Sequence, residues 1–316
     1  NRQVVYDLSI RQKTSKCTVK HLNGQIVAAF GRHYSVETET GEIVSCVMRG
    51  KKGGVTCGDQ VECQLTTSGQ GVIETIKPRK SLLYRSDSFK EKIIAANVTQ
   101  IIIVVAAIPS FSEELINRCL VAVESENIEV LIVLNKADLA EPTLAAMHIL
   151  SLYKDLGYPV LQLSAIQDAS ALQPYLKGHL SVLAGQSGMG KSTLLNALVP
   201  EAKRATAEIS VALDSGCHTT THSQLYHIDA DSGIIDSPGI QEFGLNHIKD
   251  ENLAWGFIEF HPYIGHCKFN NCRHVSEPGC ALILAAQEGK IHSKRLGFYH
   301  KLLRHESHLS LSDSLF

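Results

Sequence analysis

The sequence of 316 residues predicts a multidomain protein in which an α/β domain lies between a small β-barrel of the OB type and an α-helical, metal-binding domain. Three observations support this prediction. Short alternating apolar segments separated by glycines occupy residues 1–80, strand and helix patterns alternate through residues 81–245, and cysteines cluster with a histidine in residues 246–316. We take these three ranges as the domains.

The N-terminal domain has the pattern of a small barrel. Segments such as QIVAAF, EIVSCVM and GVIETI have the length and composition of short strands. Residues 1–80 carry 12 Lys and Arg against 7 Asp and Glu, whereas the remaining chain carries 18 against 25. A basic barrel could bind RNA phosphates, although a solvated basic face without a partner explains the charge equally well. The candidate cations are Arg11, Lys13, Lys16, Lys20, Arg32, Arg49, Lys51 and Lys52.

The central domain alternates strands and helices, which predicts a mostly parallel sheet with helices on both faces. Ligands of such sheets bind at the carboxyl ends of the strands, and the motifs described below all follow predicted strands. The predicted strands are 100–107, 130–134, 159–163, 180–184, 224–228 and 233–236, and the predicted helices are 112–126, 143–156, 169–177 and 191–199.

The segment GQSGMGKS at 185–192 matches the phosphate-loop pattern GxxxxGK(S/T) and lies between a predicted strand and a predicted helix. Its glycines allow backbone N–H groups to surround phosphate oxygens. We expect Lys191 to reach the β- and γ-phosphates and the Ser192 hydroxyl to hold magnesium. A glycine-rich turn before a helix is the structural alternative. The predicted nucleotide contacts are Gly185, Gln186, Ser187, Gly188, Met189, Gly190, Lys191, Ser192 and Thr193.

A second motif, NKAD at 135–138, predicts that the base is guanine. The carboxylate of Asp138 would accept hydrogen bonds from the ring N–H and the exocyclic amine of guanine, a pair of donors that adenine lacks. Leaving that carboxylate unpaired beside adenine would give selectivity. We expect Lys136 to lie across the base and Asn135 to brace the loop.

Two shorter segments complete the nucleotide site. In LSA, at the end of a predicted strand, Ser164 and Ala165 would offer a backbone amide to the guanine oxygen. In DSPG, Asp236 would bind magnesium through water, and the amide of Gly239 would point at the γ-phosphate. Four such segments at consistent strand ends are more informative than any one of them.

The order of these motifs along the chain is unusual. NKAD begins at residue 135 and the phosphate loop at residue 185, whereas in ordinary guanine-nucleotide switch proteins the phosphate loop comes first. All the parts are present in a rotated order, so we predict a circularly permuted GTPase.

The C-terminal domain contains HCKFNNCRHVSEPGC at 266–280. Three thiolates and one imidazole make a closed tetrahedral shell of the type used for structural zinc, with no open position for a catalytic water. The alternatives are His266 as the imidazole, although we favour His274, and cysteines that serve only as small core residues. The predicted zinc ligands are Cys267, Cys272, His274 and Cys280.

A helical pattern follows this array. The segment AAQEGKIHSKRLGFYHKLLRHE predicts an amphipathic helical tail, and we expect its basic face to be solvated. The basic residues of this tail are Lys290, Lys294, Arg295, Lys301 and Arg304.

With these motifs together, the chain resembles the RsgA/YjeQ family of circularly permuted GTPases that depend on the small ribosomal subunit. The resemblance rests on the rotated motif order, the GxSGxGKS loop, GCHTTT at 216–221, DSPGIQEFGL at 236–245 and the cysteine array with EPGC, and it covers essentially the whole chain. It implies that the three domains bind the small subunit and its rRNA late in assembly, with GTP hydrolysis stimulated by the subunit. Cys217 departs from the family string, which often has a basic residue there.

The residue that positions the attacking water is not given by DSPG. The position after it is Ile240, whose alkyl side chain cannot orient water, so intrinsic hydrolysis should be slow. We favour His218, because an imidazole can orient water or accept its proton, and the family resemblance also implicates it. A loop histidine without a catalytic role, and Gln241, are the alternatives. We expect Thr220 or Thr221 to complete the magnesium site.

Composition favours a cytoplasmic protein. No apolar run reaches the roughly 18 residues needed to span a membrane, and we expect no secretory leader. The chain has nine cysteines and a predicted nucleotide site, a combination that indicates reduced thiols or metal binding rather than disulfides. We expect a monomer.

Two other functions are compatible with parts of the sequence. A phosphate-loop kinase would leave NKAD and the cysteine array unexplained. An RNA-binding assembly factor could use GTP and GDP mainly as conformational ligands, with hydrolysis incidental.

Overall fold

The strands form one extended sheet that joins two structural units. The computed structural model describes residues 21–50, 54–66, 69–87, 90–124, 126–200, 223–237, 245 and 248–312. In these ranges eleven strands share one sheet, and β6 (Leu82–Asp87) and β7 (Lys90–Ala96) make a separate antiparallel hairpin. The first five strands of the chain are β1 (His21–Phe30), β2 (His33–Thr38), β3 (Ile43–Met48), β4 (Gln60–Leu65) and β5 (Gly71–Ile76).

These five strands of the described chain close into a barrel. Their order is β1-β2-β3-β5-β4, and β4 returns to pair with β1. The β3–β5 pair is parallel, and the other neighbours are antiparallel. Alternate residues point inward because successive side chains of a strand lie on opposite faces. The core of the barrel includes Ile26, Val36, Val44, Val61 and Ile73. The predicted OB-type barrel is confirmed.

The central sheet has the order β10-β9-β8-β11-β13-β12. Its strand pairs are parallel except that β12 runs antiparallel to β13. Every residue of β8 is buried, as expected of a central strand with both faces covered. The strands are β8 (Gln100–Ala106), β9 (Glu129–Asn135), β10 (Val160–Gln162), β11 (Leu180–Ala184), β12 (Ser223–His227) and β13 (Gly233–Asp236), and they fall within two residues of the predicted bounds.

Helices cover both faces of this sheet. On one face, Ile101 and Ile103 pack in a cluster with Ile116 and Leu120 of the first helix. On the other face, the alternate residue Ile102 packs with residues of the helix that follows the phosphate loop. The helices are α1 (Glu113–Glu124), α2 (Ala140–Asp155), α3 (Gln173–Leu176) and α4 (Lys191–Leu198).

The helix predicted at 169–177 is shorter than expected. A 3₁₀ turn, Ser170–Leu172, precedes the single turn of α3, and Pro174 lies in the first turn of that helix. Proline is tolerated there because the first N–H groups of a helix have no partner within it.

The barrel continues into the central sheet through its first strand. The first half of β1 pairs with β4, whereas Ala28 and Ala29 pair with Gln224 and Ser223 of β12. The barrel loop at Gly58 lies close to the β6–β7 hairpin, because a Cβ there would collide with the carbonyl oxygen of Ala96. The barrel and the central sheet therefore share backbone pairing at β1 and β12.

The C-terminal helices pack against α1, and here one expectation was wrong. Arg295 is 0% exposed, and its guanidinium donates to Glu259 and, at 2.7 Å, to Asn117 of α1. Lys294 and Lys301 pair with glutamates of α1, so the basic tail is not simply solvated. Partners on other helices therefore fix these basic side chains, although the local sequence alone suggests that they are solvated. The helices are α5 (Asp250–Leu253), α6 (Ala281–Gln287) and α7 (Ser293–Ser312).

None of the helices in the described part of the chain is long and apolar enough to cross a membrane.

Candidate functional site

The predicted nucleotide motifs meet at one edge of the central sheet. NKAD follows β9, LSA follows β10, the phosphate loop follows β11, and DSPG begins at the end of β13. These strands are parallel, so their carboxyl ends lie along the same edge. The rotated order of the motifs therefore leaves their spatial arrangement intact.

The phosphate loop has the backbone that its glycines require. Gly185 has φ 143°, and a Cβ there would collide with the carbonyl oxygen of Val104. Gly190 has φ 91° and precedes α4 directly. The N-terminus of α4 thus presents unpaired backbone N–H groups beside the loop, the usual arrangement for binding phosphate.

The ammonium of Lys191 is held inside this loop. It donates to the carbonyl oxygens of Gly185 at 2.6 Å and Gln186 at 2.8 Å. Burial lowers its pKa, and the charge of Asp236 acts in the opposite direction. Phosphate oxygens would restore the charge–charge partner that a partly buried ammonium needs.

Asn135 connects three segments of the site. Its side-chain amide donates to the carbonyl oxygen of Met189 at 2.9 Å, and its Oδ1 accepts the N–H of Ala165, also at 2.9 Å. The side chain is buried, so water does not compete freely for either hydrogen bond. The base-reading loop, the phosphate loop and the LSA segment are thereby held in fixed relation.

The remaining residues of NKAD lie at the surface of the same edge. Asp138 is exposed and accepts a hydrogen bond of 2.6 Å from the hydroxyl of Ser164. Lys136 adopts φ 62°, and its ammonium donates to the carbonyl oxygen of Ile108 at 2.9 Å. This leaves the outer carboxylate edge of Asp138 accessible to a ligand.

Sequence reasoning missed the loop that follows β8. Pro109 lies against Gly188, and the N–H of Ser112 donates to the side chain of Gln186 at 2.7 Å. Ser112 also accepts the N–H of Leu115 at the start of α1. The only sign of this loop in the sequence was its place at the carboxyl end of the predicted strand 100–107.

The four predicted metal ligands form a compact group. Their ligand atoms all lie within 4.8 Å of one another. The Sγ atoms of Cys267 and Cys280 are 3.9 Å apart, and each lies 3.4 Å from Nδ1 of His274. A tetrahedral ion with metal–sulfur bonds of ~2.3 Å would give separations of about 3.8 and 3.5 Å. The arrangement with Cys272 therefore fits a metal ion.

The sequence model of the RsgA GTPase family matches residues 76–246. The chain belongs to this family. The small ribosomal subunit biogenesis GTPase RsgA of Nitrosospira multiformis is 62% identical over 282 residues, which cover 89% of this chain and 90% of that protein. This identity extends beyond the matched domain to most of the chain.

Solved structures of similar proteins agree with this membership. The crystal structure of YjeQ from Thermotoga maritima superposes with a TM-score of 0.71 at 34% identity, covering 90% of this chain and 98% of that one. YloQ, described as a circularly permuted GTPase, gives a TM-score of 0.68 at 28% identity, with coverage of 90% and 95%. Membership in a GTPase family also removes the kinase alternative.

In this member of the family, the imidazole in the metal group is His274 rather than His266, as favoured from the sequence. Burial lowers the pKa of His274, which favours the neutral imidazole that binds metals. Its carbonyl oxygen accepts a hydrogen bond from His300 of α7 at 2.7 Å. The metal group is thus attached to the C-terminal helix.

Glu277, in the EPGC segment, has a role that the sequence did not reveal. Burial raises its pKa, but backbone N–H groups of Arg273, Val275 and Ser276 outweigh this effect and hold the pKa at about 2. These N–H groups donate to the two carboxylate oxygens at distances of 2.8 to 3.1 Å. The carboxylate therefore orders the loop that carries Cys272 and His274.

The structure accounts for the positions of some predicted residues and not others. Ser187, Ser192 and Thr193 are exposed around the phosphate loop, and Asp236 is half-buried at the end of β13. The residues predicted for catalysis, for the γ-phosphate and for completing the magnesium site lie outside the described residues. They are His218, Gly239, Thr220 and Thr221.

Proposed function

We propose that this protein hydrolyses GTP and acts in the biogenesis of the small ribosomal subunit, which accelerates the hydrolysis. The observation that carries the proposal is the junction at Asn135, which ties the base-reading loop to the phosphate loop in a chain whose motif order is rotated. Its relative in Nitrosospira multiformis is named for the same role.

The proposed guanine site is built from groups of NKAD and of the LSA segment. Asp138 accepts the two guanine donors, Lys136 lies along the base, and the backbone amide at Ala165 donates to the guanine oxygen. Adenine offers neither donor to Asp138, so it binds with an unpaired carboxylate. Ser164, by donating to Asp138, holds the carboxylate in one orientation.

The phosphate site follows from the loop and the helix behind it. Backbone N–H groups of residues 185–193 surround the phosphates, and Lys191 moves its hydrogen bonds from the loop carbonyls to the β- and γ-oxygens. Charge on those oxygens is further offset by magnesium, which Ser192, Asp236 and Thr220 or Thr221 would hold. The amide of Gly239 contacts the γ-phosphate, and His218 positions the attacking water.

The test of this function is GTP turnover by the purified full chain, alone and with purified small ribosomal subunits. We expect slow turnover alone and faster turnover with small subunits, while large subunits serve as the matched control. Subunit binding that depends on GTP without any change in turnover would favour an assembly factor that uses the nucleotide as a conformational ligand. Absence of guanine-nucleotide binding would contradict the proposal entirely.

The metal in the C-terminal group is zinc in this proposal. Three thiolates and one imidazole are the ligands of a closed structural zinc site.

We expect one zinc per chain by metal analysis. Cys272→Ser and His274→Ala should each remove most of the zinc and loosen the C-terminal helices, because a ligand is lost from a closed shell. Nucleotide binding should stay mostly intact, since the metal group lies outside the nucleotide site. His266→Ala is the matched control, because His266 is exposed and outside the group. Native protein without zinc, or zinc lost only with His266→Ala, would refute the assignment.

The partners and organisation complete the proposal. The basic barrel contacts the rRNA of the small subunit, and the protein acts as a monomer in the cytoplasm. The domains are residues 1–80, 81–245 and 246–316.

A further inference from the structure

A groove lies where the barrel meets the central sheet. β1 lies between β2 and β12 there, and Val27 and Ala28 of β1 line the groove. Glu37 of β2 and His227 of β12 lie on its two sides, and the imidazole Nε2 is 2.6 Å from the carboxylate Oε2. The volume is about 280 Å³, just below the ~300–1,000 Å³ of pockets that enclose a small molecule. The groove therefore suits one or two side chains of a larger partner.

Two large apolar side chains of this groove are exposed to solvent. Ile43 of β3 is 55% exposed, and Phe30 at the end of β1 is 43% exposed. Single exposed apolar residues are common on protein surfaces. Two that line one groove together with Val27 form a patch of the kind that marks interaction sites.

The end of the groove near Glu37 is acidic. β2 and β12 both run antiparallel to β1, so they continue past the groove in the same direction. The turn after β2 carries Glu39 and Glu42, and the turn after β12 carries Asp229 and Asp231. All four of these residues are exposed. Carboxylates from both structural units therefore border the same end of the groove.

We propose that this groove binds a basic segment of a protein of the small ribosomal subunit. The inference deepens the proposed function and rests on it. An apolar side chain of the segment packs against Ile43 and Phe30, and its lysines or arginines lie beside the two acidic turns, at the end of the groove away from Arg32 in the β1–β2 turn. The acidic end would repel rRNA, which is a polyanion, whereas proteins bound to rRNA carry the lysines and arginines that offset its charge.

Charge reversal tests the class of partner. Glu39→Lys and Glu42→Lys should each weaken binding of the full chain to purified small subunits about 5-fold at ~0.1 M salt, and less at higher salt. If rRNA occupied the groove, both variants would bind more tightly, and that result would overturn the inference. Asp155→Lys, at an exposed carboxylate on α2 outside the groove, is the matched control and should leave subunit binding unchanged.

The apolar contact has its own test. Ile43→Ser should weaken small-subunit binding about 10-fold, and Ile43→Leu should restore it, because the apolar surface is regained. Leu144→Ser is the matched control, since Leu144 is 73% exposed on α2 and outside the groove. GDP affinity should be unchanged in all these variants, because the groove lies away from the phosphate loop and NKAD.

Photocrosslinking to purified small subunits identifies the occupant. With the photoreactive residue p-benzoylphenylalanine in place of Ile43, we expect a crosslink to a protein of the subunit, and a lower yield when Glu39→Lys and Glu42→Lys are added. Crosslinks to rRNA alone would overturn the inference. Native subunit affinity in Ile43→Ser and in both charge variants would also overturn it and leave the proposed function standing. Native protein that does not bind small subunits would instead contradict the proposed function.

Discussion

Replacing Asp138 with asparagine is expected to weaken GDP and GTP binding by about 10²–10⁴-fold and to shift preference toward xanthine nucleotides. In the proposed site the carboxylate accepts two guanine donors, whereas the amide of asparagine would present a donor of its own to the exocyclic amine. Sites built around such pairs reject mismatched bases by up to roughly 10⁴–10⁵-fold. Asp138 is exposed in the free protein, so water can hydrate groups that lose their partner in the variant. We therefore expect the smaller loss of affinity, about 10²–10⁴-fold.

The measurement is a titration of native and variant protein with GDP, xanthosine diphosphate and ADP. Xanthine carries a carbonyl where guanine has its amine, so it complements the asparagine amide. Asp155→Asn, which changes an exposed carboxylate at the end of α2, is the matched control and should leave all three affinities unchanged. Equal affinity of native protein for GDP and ADP would overturn the assignment of the base.

Replacing His218 with alanine is expected to remove most of the hydrolysis that the small subunit stimulates. In the proposed mechanism, Ile240 cannot orient water, and the small subunit orders the loop so that the imidazole of His218 reaches the γ-phosphate. Positioned acid–base groups contribute about 10²–10⁴-fold, and we expect stimulation, and its loss in the variant, in this range. GTP binding and small-subunit binding should be retained, because Asp138 and the phosphate loop are untouched.

Single-turnover hydrolysis with saturating small subunits measures this loss directly. His148→Ala is the control, since His148 is an exposed histidine on α2. Full stimulated turnover in the His218 variant would transfer the role to Gln241, to rRNA or to another group of the partner.

Local patterns predicted the central strands well, because strands buried on both faces are continuous apolar runs. The run at β8 is the clearest case, since each of its residues is buried. The β6–β7 hairpin and the β1–β12 pairing were not predicted. Register between segments far apart in the chain depends on which edges meet in the folded protein, and no local pattern records that.

The structure brings predicted site residues together where a motif fixes the backbone. The phosphate loop, NKAD and the cysteine array each place several groups through short, specific spacing. Ser112, Glu277 and Arg295 were missed or misread because their roles depend on partners from other segments. Arg295 shows this most clearly, since its buried partner Glu259 is on another element and its basic neighbours suggested a solvated face.

The pairing of Ala29 with Ser223 also affects how the chain folds during synthesis. These residues are about 200 positions apart, so at roughly 5–20 residues per second the ribosome needs about 10–40 seconds to supply the second strand. Until then, the second half of β1 presents an open edge on one side of a barrel whose other strands are complete. Open edges associate with those of other chains. A pause in translation of the central region therefore prolongs the period in which the open edge of β1 can pair with a strand of another newly made chain.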